Sequence, residues 1–470
     1  MEATEAVATP AEAAIGIGEP NRVAIDASTR KHLDDLHGVK PALSFSLEAG
    51  KPWERWAVRL SEPGPWVFLA LAVGALPRVF WILFSEGTAD AIVWEALVQD
   101  VRERGMIAAY RGGDHILNHP PMAVWFASQL DFAGQRLGIP FSVSFRAPLL
   151  AVDLATFAAI LWLFKAASNE VWQRARWAIA CFWWLSPLAM IFSSFHGNTD
   201  SMVALGLVLS AGAVAHQRYI LAGLMVGLGL WIKIPGVLAA PLLWMAIPHS
   251  TGRLKMALSA TITALLGYLP WLAVDARAVI ESVFFYPGLR IQTTQGMPIW
   301  GLERFVPDWR QIPVEWRPEY RAWMIGWLRN NRLICLIPIG LLALVRRGQD
   351  DALKLASGIA ATYAILYGFS NLWGFQYLAW SAPFWLALGA RWGVIATLLT
   401  TAYVYGLYAW LCDSWLLIGP WNFATQPDWP LSLRAARDAC ILFFAGTAFW
   451  QIGIALNEER RRWKSSPASK

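Results

Sequence analysis

The chain has 470 residues, of which 56% are hydrophobic and only 15% charged, and a mean hydropathy of +0.41. Those values exclude an ordinary soluble enzyme and point to a polytopic all-α membrane protein, because a water-facing surface needs far more charge than this. The net charge of +6 is small for the length; it gives no ground for a nucleic-acid partner and acts instead through its distribution.

Residues 1–65 read as a disordered cytoplasmic tail rich in Ala and Glu, without the basic start and short apolar core of a signal peptide. Within it, residues 49–60 alternate cations and indoles (Lys51, Trp53, Arg55, Trp56, Arg59), a pattern suited either to a helix lying on an anionic membrane surface or to a solvated linker. A membrane domain over 66–456 follows. Its apolar runs lie near 66–84, 147–164, 178–195, 200–216, 219–232, 235–247, 256–274, 331–346, 353–370, 376–390, 392–417 and 436–456. Read as transmembrane helices, they predict about twelve spans.

Basic residues cluster in alternate connections: Lys165 to Arg176, Arg218, Arg253 and Lys255, Arg346 to Lys354, Arg391, and the tail 457–470 with Arg460, Arg461, Arg462 and Lys464. The positive-inside rule places all of these, and both termini, in the cytoplasm. The long outer segments are then 85–146, 275–330 and 418–435. The compact loops and the absence of an N-x-[ST] glycosylation acceptor favour a bacterial inner membrane, with the outer segments facing the periplasm. Cys181, Cys335, Cys412 and Cys440 all fall in apolar runs without metal-ligand spacing and read as buried hydrophobes. Most of the 29 tryptophans read as interfacial belts, with a few near the outer loops available to stack on sugar rings.

Two polar islands interrupt this apolar pattern. In the first outer segment, Asp90 begins a stretch of helical periodicity just past the end of the first span, and Asn118-His119-Pro120-Pro121 follows after a glycine-rich passage. The segment reads as two short helices on the membrane surface. The second island is His196-Gly197-Asn198-Thr199-Asp200, between two apolar runs. Carboxylates and histidines are costly near hydrocarbon, so function is the default reason for their presence. A helix cap is the competing reason for Asp90, Asn198 and Asp200.

The order of span, Asp90, helix, glycines, Pro120-Pro121 and Phe145-Arg146-Ala147-Pro148 resembles the first outer loop of the GT-C superfamily, the integral-membrane glycosyltransferases that use polyprenyl-phosphate sugars. Ser186-Pro187 with His196 to Ser201 is similar to the family's Pro…GQxD element. Ala222-Gly223-Leu224 through Lys233-Ile234-Pro235 is similar to its AGL…LxxKxxP element, one residue shorter. Gln376-Tyr377-Leu378-Ala379-Trp380 through Pro383 is similar to its late QYxxWxxP element. The chain departs from the pattern in having His-Gly-Asn for the commoner Gly-Gln, and one convincing acidic position in the first loop instead of a pair.

The resemblance implies an inverting hexosyltransferase that draws on an outward-facing polyprenyl-phosphate sugar and serves a lipid-linked or envelope acceptor. It makes Asp90 the general base, with Glu86 in reserve. The residues suit such chemistry on their own terms: a base for the acceptor hydroxyl, cations for the departing phosphate, and an apolar path for the lipid. For the phosphate the candidates are Lys233, which could instead form an ion pair with Asp153, and Arg290 and Arg304 of the second outer segment, which could instead be solvated. His196, Asn198 and Asp200 are candidates to orient the donor sugar or, with Asp90, to hold a divalent ion that nothing in the sequence requires. His119, Gln376 and Tyr377 are candidates for the acceptor or lipid cleft. Two other readings stand beside this one: a transporter or flippase of lipid-linked sugars, and a non-catalytic assembly subunit.

Overall fold

The computed structural model describes residues 62–112, 117–285, 313–370, 374–422 and 429–465, all within one unit, Gly50–Lys470. Among these residues every regular element is helical. The interfacial segment 49–60, Arg290 and Arg304 lie outside the described residues.

The first span, α1 (Pro65–Phe84), starts on a proline at its first position, where the missing N–H costs nothing. After a short link come α2 (Ala89–Arg104), α3 (Met106–Tyr110) and α4 (Pro121–Leu137). In α2, Asp90 sits in the first turn and Arg102 and Arg104 in the last, matching the helix dipole. Ala91, Trp94, Leu97 and Val98 form its buried face, while Ile92 and Val93 remain exposed. The first outer segment thus contains two helices of several turns with a single turn between them.

Then come α5 (Phe141–Lys165), α6 (Glu170–Trp184), α7 (Pro187–Met190) with a π-helical turn at Ile191–Phe195, α8 (Asp200–Ala215) and α9 (Tyr219–Ile232). A 3-10 turn at Ile234–Ala239 leads to α10 (Ala240–Ala246) and the long α11 (Ser250–Phe284). The remainder comprises α12 (Arg317–Val345), α13 (Ala352–Phe369), α14 (Leu378–Ser381) between 3-10 turns at Phe375–Tyr377 and Ala382–Leu388, α15 (Ala390–Leu411) and α16 (Leu431–Ser465).

Every one of the twelve apolar runs contains helical structure, although 392–417 leaves its helix at Leu411. Among the described residues, six helices (α1, α5, α11, α13, α15 and α16) are long and apolar enough to cross a membrane. A seventh crossing is available if α6 and the segment Pro187–Phe195, bent by 55° at their junction, count as one span. The other runs are shorter or broken: α8, α9, Ile234–Ala246 and Asn330–Val345 have 10–17 residues, and 376–390 is a chain of single turns. The difference from the sequence count is one of helix continuity. Hydropathy registers apolar content, whereas Pro187, Pro235 and Pro383 each begin a new helical segment.

The predicted cytoplasmic connections meet at one end of the bundle. Arg346 and Lys354 both reach Glu458, at 2.7 and 2.6 Å, and the Ser168 amide donates to Asp351 at 2.7 Å. Asp90 and Arg146 lie at the other end, since α5 runs 25 residues from Phe141 to Lys165, roughly 37 Å of rise.

Candidate functional site

Both polar islands converge. Thr88 caps α2, its hydroxyl accepting the Asp90 amide at 3.3 Å and donating to the His196 carbonyl at 2.9 Å. Because Thr88 is the cap, the Asp90 side chain is released from that role. Its Oδ2 accepts the Asn198 Nδ2 hydrogen bond at 2.6 Å and lies 3.0 Å from His196 Nε2. The latter is an electrostatic contact without the alignment of a hydrogen bond. Oδ1 has no partner among the described residues, and the side chain is 35% accessible.

His196 is held from behind. Its Nδ1 lies 2.8 Å from the Tyr408 hydroxyl of α15 and 3.3 Å from Thr88 Oγ1, and its ring stacks on Tyr408. Tyr408 and Thr88 hold the Nδ1 edge of the ring, which leaves Nε2 facing Asp90. The π-helical turn delivers His196, whose amide bonds back to the Ile191 carbonyl at 2.7 Å.

Burial alone would raise the Asp90 carboxyl. The neighbouring His196 and Lys233, with the Asn198 hydrogen bond, outweigh it and hold the group well below the usual carboxylate range. His119 is displaced in its own way: burial first, then Lys233, push its imidazole down to about 3, so it is neutral at physiological pH. It stacks on Trp94 at 4.2 Å, and Tyr110 fixes its backbone carbonyl.

One residue beyond Thr199 a second centre begins. Asp200 is fully buried and accepts from Lys233 Nζ at 2.9 and 3.1 Å and from Trp380 Nε1 at 2.7 Å. Lys233 ends α9 at its break, with the Tyr377 ring 4.9 Å and the Trp380 ring 5.9 Å from Nζ. The alternative pairing of Lys233 with Asp153 is therefore corrected: Asp153 belongs to Arg78 of α1, at 2.8 Å, and to Ser193. The capping roles considered for Asn198 and Asp200 are not taken up either. Asn198 spends its oxygen on Thr199 and Asp200 its oxygens on Lys233 and Trp380, and α8 has no side-chain cap.

The loop is fixed by Arg146 of the FRAP sequence. Fully buried, it donates to the carbonyls of Trp81, Ile82 and Ser85 at the end of α1, to Ser85 Oγ, and to the Ser194 carbonyl. One guanidinium thus fastens the C-terminus of the first span to the π-turn and sets the gap in which Asp90 meets His196. Gly87 (φ +83°) and Gly197 (φ +70°) pass on either side of it, and a Cβ on Gly87 would stand 2.9 Å from the Phe195 carbonyl.

The site residues named from sequence are therefore distributed as follows. Asp90, His196 and Asn198 form one contact group, with Asp200, Lys233 and Tyr377 in the adjoining one and His119 close enough to feel both Asp90 and Lys233. Glu86 is exposed and makes no bond to either group. Gln376 folds over Gly374. Tyr408, Thr88 and Arg78 were not singled out beforehand; only Thr88, a threonine just before a helical stretch, carried a local signal.

A divalent ion does not fit the described residues. No group of three or more His, Cys, Asp or Glu side chains converges among them, and the Asp200 oxygens and Asp90 Oδ2 are already engaged. No family model and no curated protein matches the chain.

Proposed function

We propose that the protein is an inverting, GT-C-like glycosyltransferase that moves a hexose from a polyprenyl-phosphate sugar to a lipid-linked or envelope acceptor. The observation that carries the reading is the unpartnered, accessible Oδ1 of Asp90, on a carboxylate kept anionic at physiological pH and fixed through its other oxygen. Oδ1 takes the proton from the acceptor hydroxyl as that oxygen attacks the anomeric carbon. The bond to phosphate breaks, and a β-linked donor gives an α-linked product. Lys233 faces the departing phosphate with the proton it does not share with Asp200. Neutral His119, stacked on the buried Trp94, borders the acceptor cleft.

In the topology that goes with this reading, twelve spans place both termini in the cytoplasm and Asp90 at the outer, periplasmic face of a bacterial inner membrane. One observation favours a transporter of lipid-linked sugars instead: the two interrupted segments, at the α6–α7 bend and at Lys233, both end in the charged cluster. A single assay separates the two. Purified protein in lipid nanodiscs is incubated with a panel of polyprenyl-phosphate sugars and acceptors, and released polyprenyl phosphate is measured. Release dependent on Asp90 supports transfer, whereas its absence across the panel, with lipid-linked sugar crossing proteoliposome membranes, supports transport.

A further inference from the structure

A cleft of about 330 Å³ opens between α2 and α4, away from Asp90 and lined by polar side chains together with Val98, Val101 and Phe132. We infer that it is a saccharide subsite, holding a sugar unit of the acceptor that is not the one being modified. This deepens the transferase reading and rests on it for the word acceptor.

Position is the first argument. α2 carries Asp90 in its first turn and Val98, Val101 and Arg102 of the cleft in its last turns. Asp90 and Val101 are eleven residues apart, three turns and roughly 16 Å along one face of the helix. His119, two residues ahead of α4, stacks on Trp94 of α2, so both helices start beside the carboxylate. The cleft residues of α4, Ser128 to Gln135, lie roughly 10–21 Å further along it. Arg102 bonds Asp131 across the groove at 2.9 Å, which shows that the two helices keep company over that distance. A glycan with one hydroxyl at Asp90 would run over the closed seam of Trp94, Leu97 and Val98 against Ala123, Val124 and Ala127 to reach the cleft roughly 16 Å further on.

Chemistry is the second argument. The volume lies at the lower end of small-molecule sites, enough for one or two sugar rings. Arg102 and Asp131 cancel in charge, yet Arg102 stays half exposed, and Gln135 donates to Asp131 at 2.9 Å. The Gln129 side chain is exposed and has no protein partner among the described residues. Phe132 is 52% exposed, with Arg136 over its ring at 4.2 Å. Planar amide, carboxylate and guanidinium groups beside an aromatic ring suit the paired hydroxyls and C–H face of a sugar. A phosphate would meet the Asp131 carboxylate, with Arg102 already paired to it and Arg136 laid over the Phe132 ring, so a neutral saccharide is favoured over an anionic headgroup.

The test is saturation-transfer NMR on the full chain in nanodiscs, with mannose- and glucose-containing disaccharides as probes. Binding is expected for wild type and for Asp90→Asn. It should be lost in the double variant Gln129→Ala, Asp131→Asn, weakened about tenfold in Phe132→Ala and retained in Phe132→Trp. No disaccharide binding to wild type, or binding unchanged in the double variant, overturns the inference. So does a result in which the variants lose only anionic-lipid vesicle binding, which assigns the cleft to headgroups. Failure of the transferase reading appears separately, as no turnover by wild type, and does not alter this binding readout.

Discussion

Two carboxylates on either side of the π-helical turn differ in accessibility, the one respect that separates their roles. Asp153 is 1% exposed and spends Oδ2 on Arg78 and Ser193, while Arg78 also donates to the Gly74 and Trp184 carbonyls and lies 3.9 Å from the Trp184 ring. Asp90 is 35% accessible and keeps an oxygen free. The centres are neighbours through the π-turn, since Ser193 serves one and His196 the other. A charge held in an apolar environment calls for a partner in either case. Only an accessible, unpartnered atom gives a substrate something to meet. The Arg78–Asp153 pair is a fastening beneath the site, and Asp90 is where a hydroxyl can arrive.

The largest effect that would break this contrast is on Asp90 itself. Asp90→Asn keeps size and hydrogen bonding and removes the proton acceptor, so turnover should fall roughly 10²–10⁴-fold with donor binding retained. Released polyprenyl phosphate and donor affinity, measured together, check both halves; normal turnover would remove Asp90 from the mechanism.

Next come the buried pairs. Arg78→Leu or Asp153→Leu strands a charge and should cost about 3–5 kcal/mol, most of it recovered in the double variant. Lys233→Met should couple in the same way to Asp200→Leu and add independently to Asp153→Leu. Melting temperatures across the two cycles decide, and coupling between Lys233 and Asp153 would contradict the pairing described above. If activity also returned in Lys233→Met, Asp200→Leu, the phosphate role of Lys233 would fall.

A smaller effect is expected at the crossing of the loops. Gly87→Ala and Gly197→Ala force a side chain onto positive φ beside Arg146 and should each cost about 1–3 kcal/mol. Activity should drop further than stability alone explains, because the Asp90–His196 gap is set there. Equal activity per folded molecule would show that the gap tolerates adjustment.

The shallowest signal is in pH. The His119 imidazole, held down to about 3 from its ordinary 6.5, stays neutral in the fold while the unfolded chain takes up a proton below 6.5. Stability is therefore full above pH 6.5 and declines as pH falls from 6.5 towards 3, and His119→Asn should flatten that decline in thermal melts. Asp90 acts in the same sense but in a more acidic window. Its depressed carboxyl adds stability above the ordinary 3.8, lost only as pH drops through the still lower folded value, so it contributes no slope between pH 5 and 7. A decline unchanged in His119→Asn would place the neutral imidazole elsewhere.

Much of the plan was legible in the residues. All twelve apolar runs contain helix because burying a backbone among apolar side chains leaves the helix as its simplest way to satisfy N–H and C=O groups. The polar islands stood out because composition alone marks a His or Asp in such surroundings as exceptional. Continuity was not legible: Lys233 falls at a helix break and 376–390 dissolves into single turns, which depends on how neighbours re-satisfy freed carbonyls. Nor was the pairing of charges. Asp153 and Lys233 are the kind of complementary pair a sequence suggests, yet each is claimed by a residue 75 or 33 positions away.

The sequence by itself determined an all-helical, apolar chain with two polar islands, since periodicity and hydropathy are local properties that each segment carries alone. Tertiary structure decided which carboxylate is closed and which is open. Tyr408 reaches His196 across 212 residues, Arg146 ties the end of α1 to the π-turn, and Asp90 keeps one oxygen because Thr88 does the capping. Partner choice among buried charges follows from distances of about 3 Å between segments far apart in the chain, and no local pattern encodes those distances.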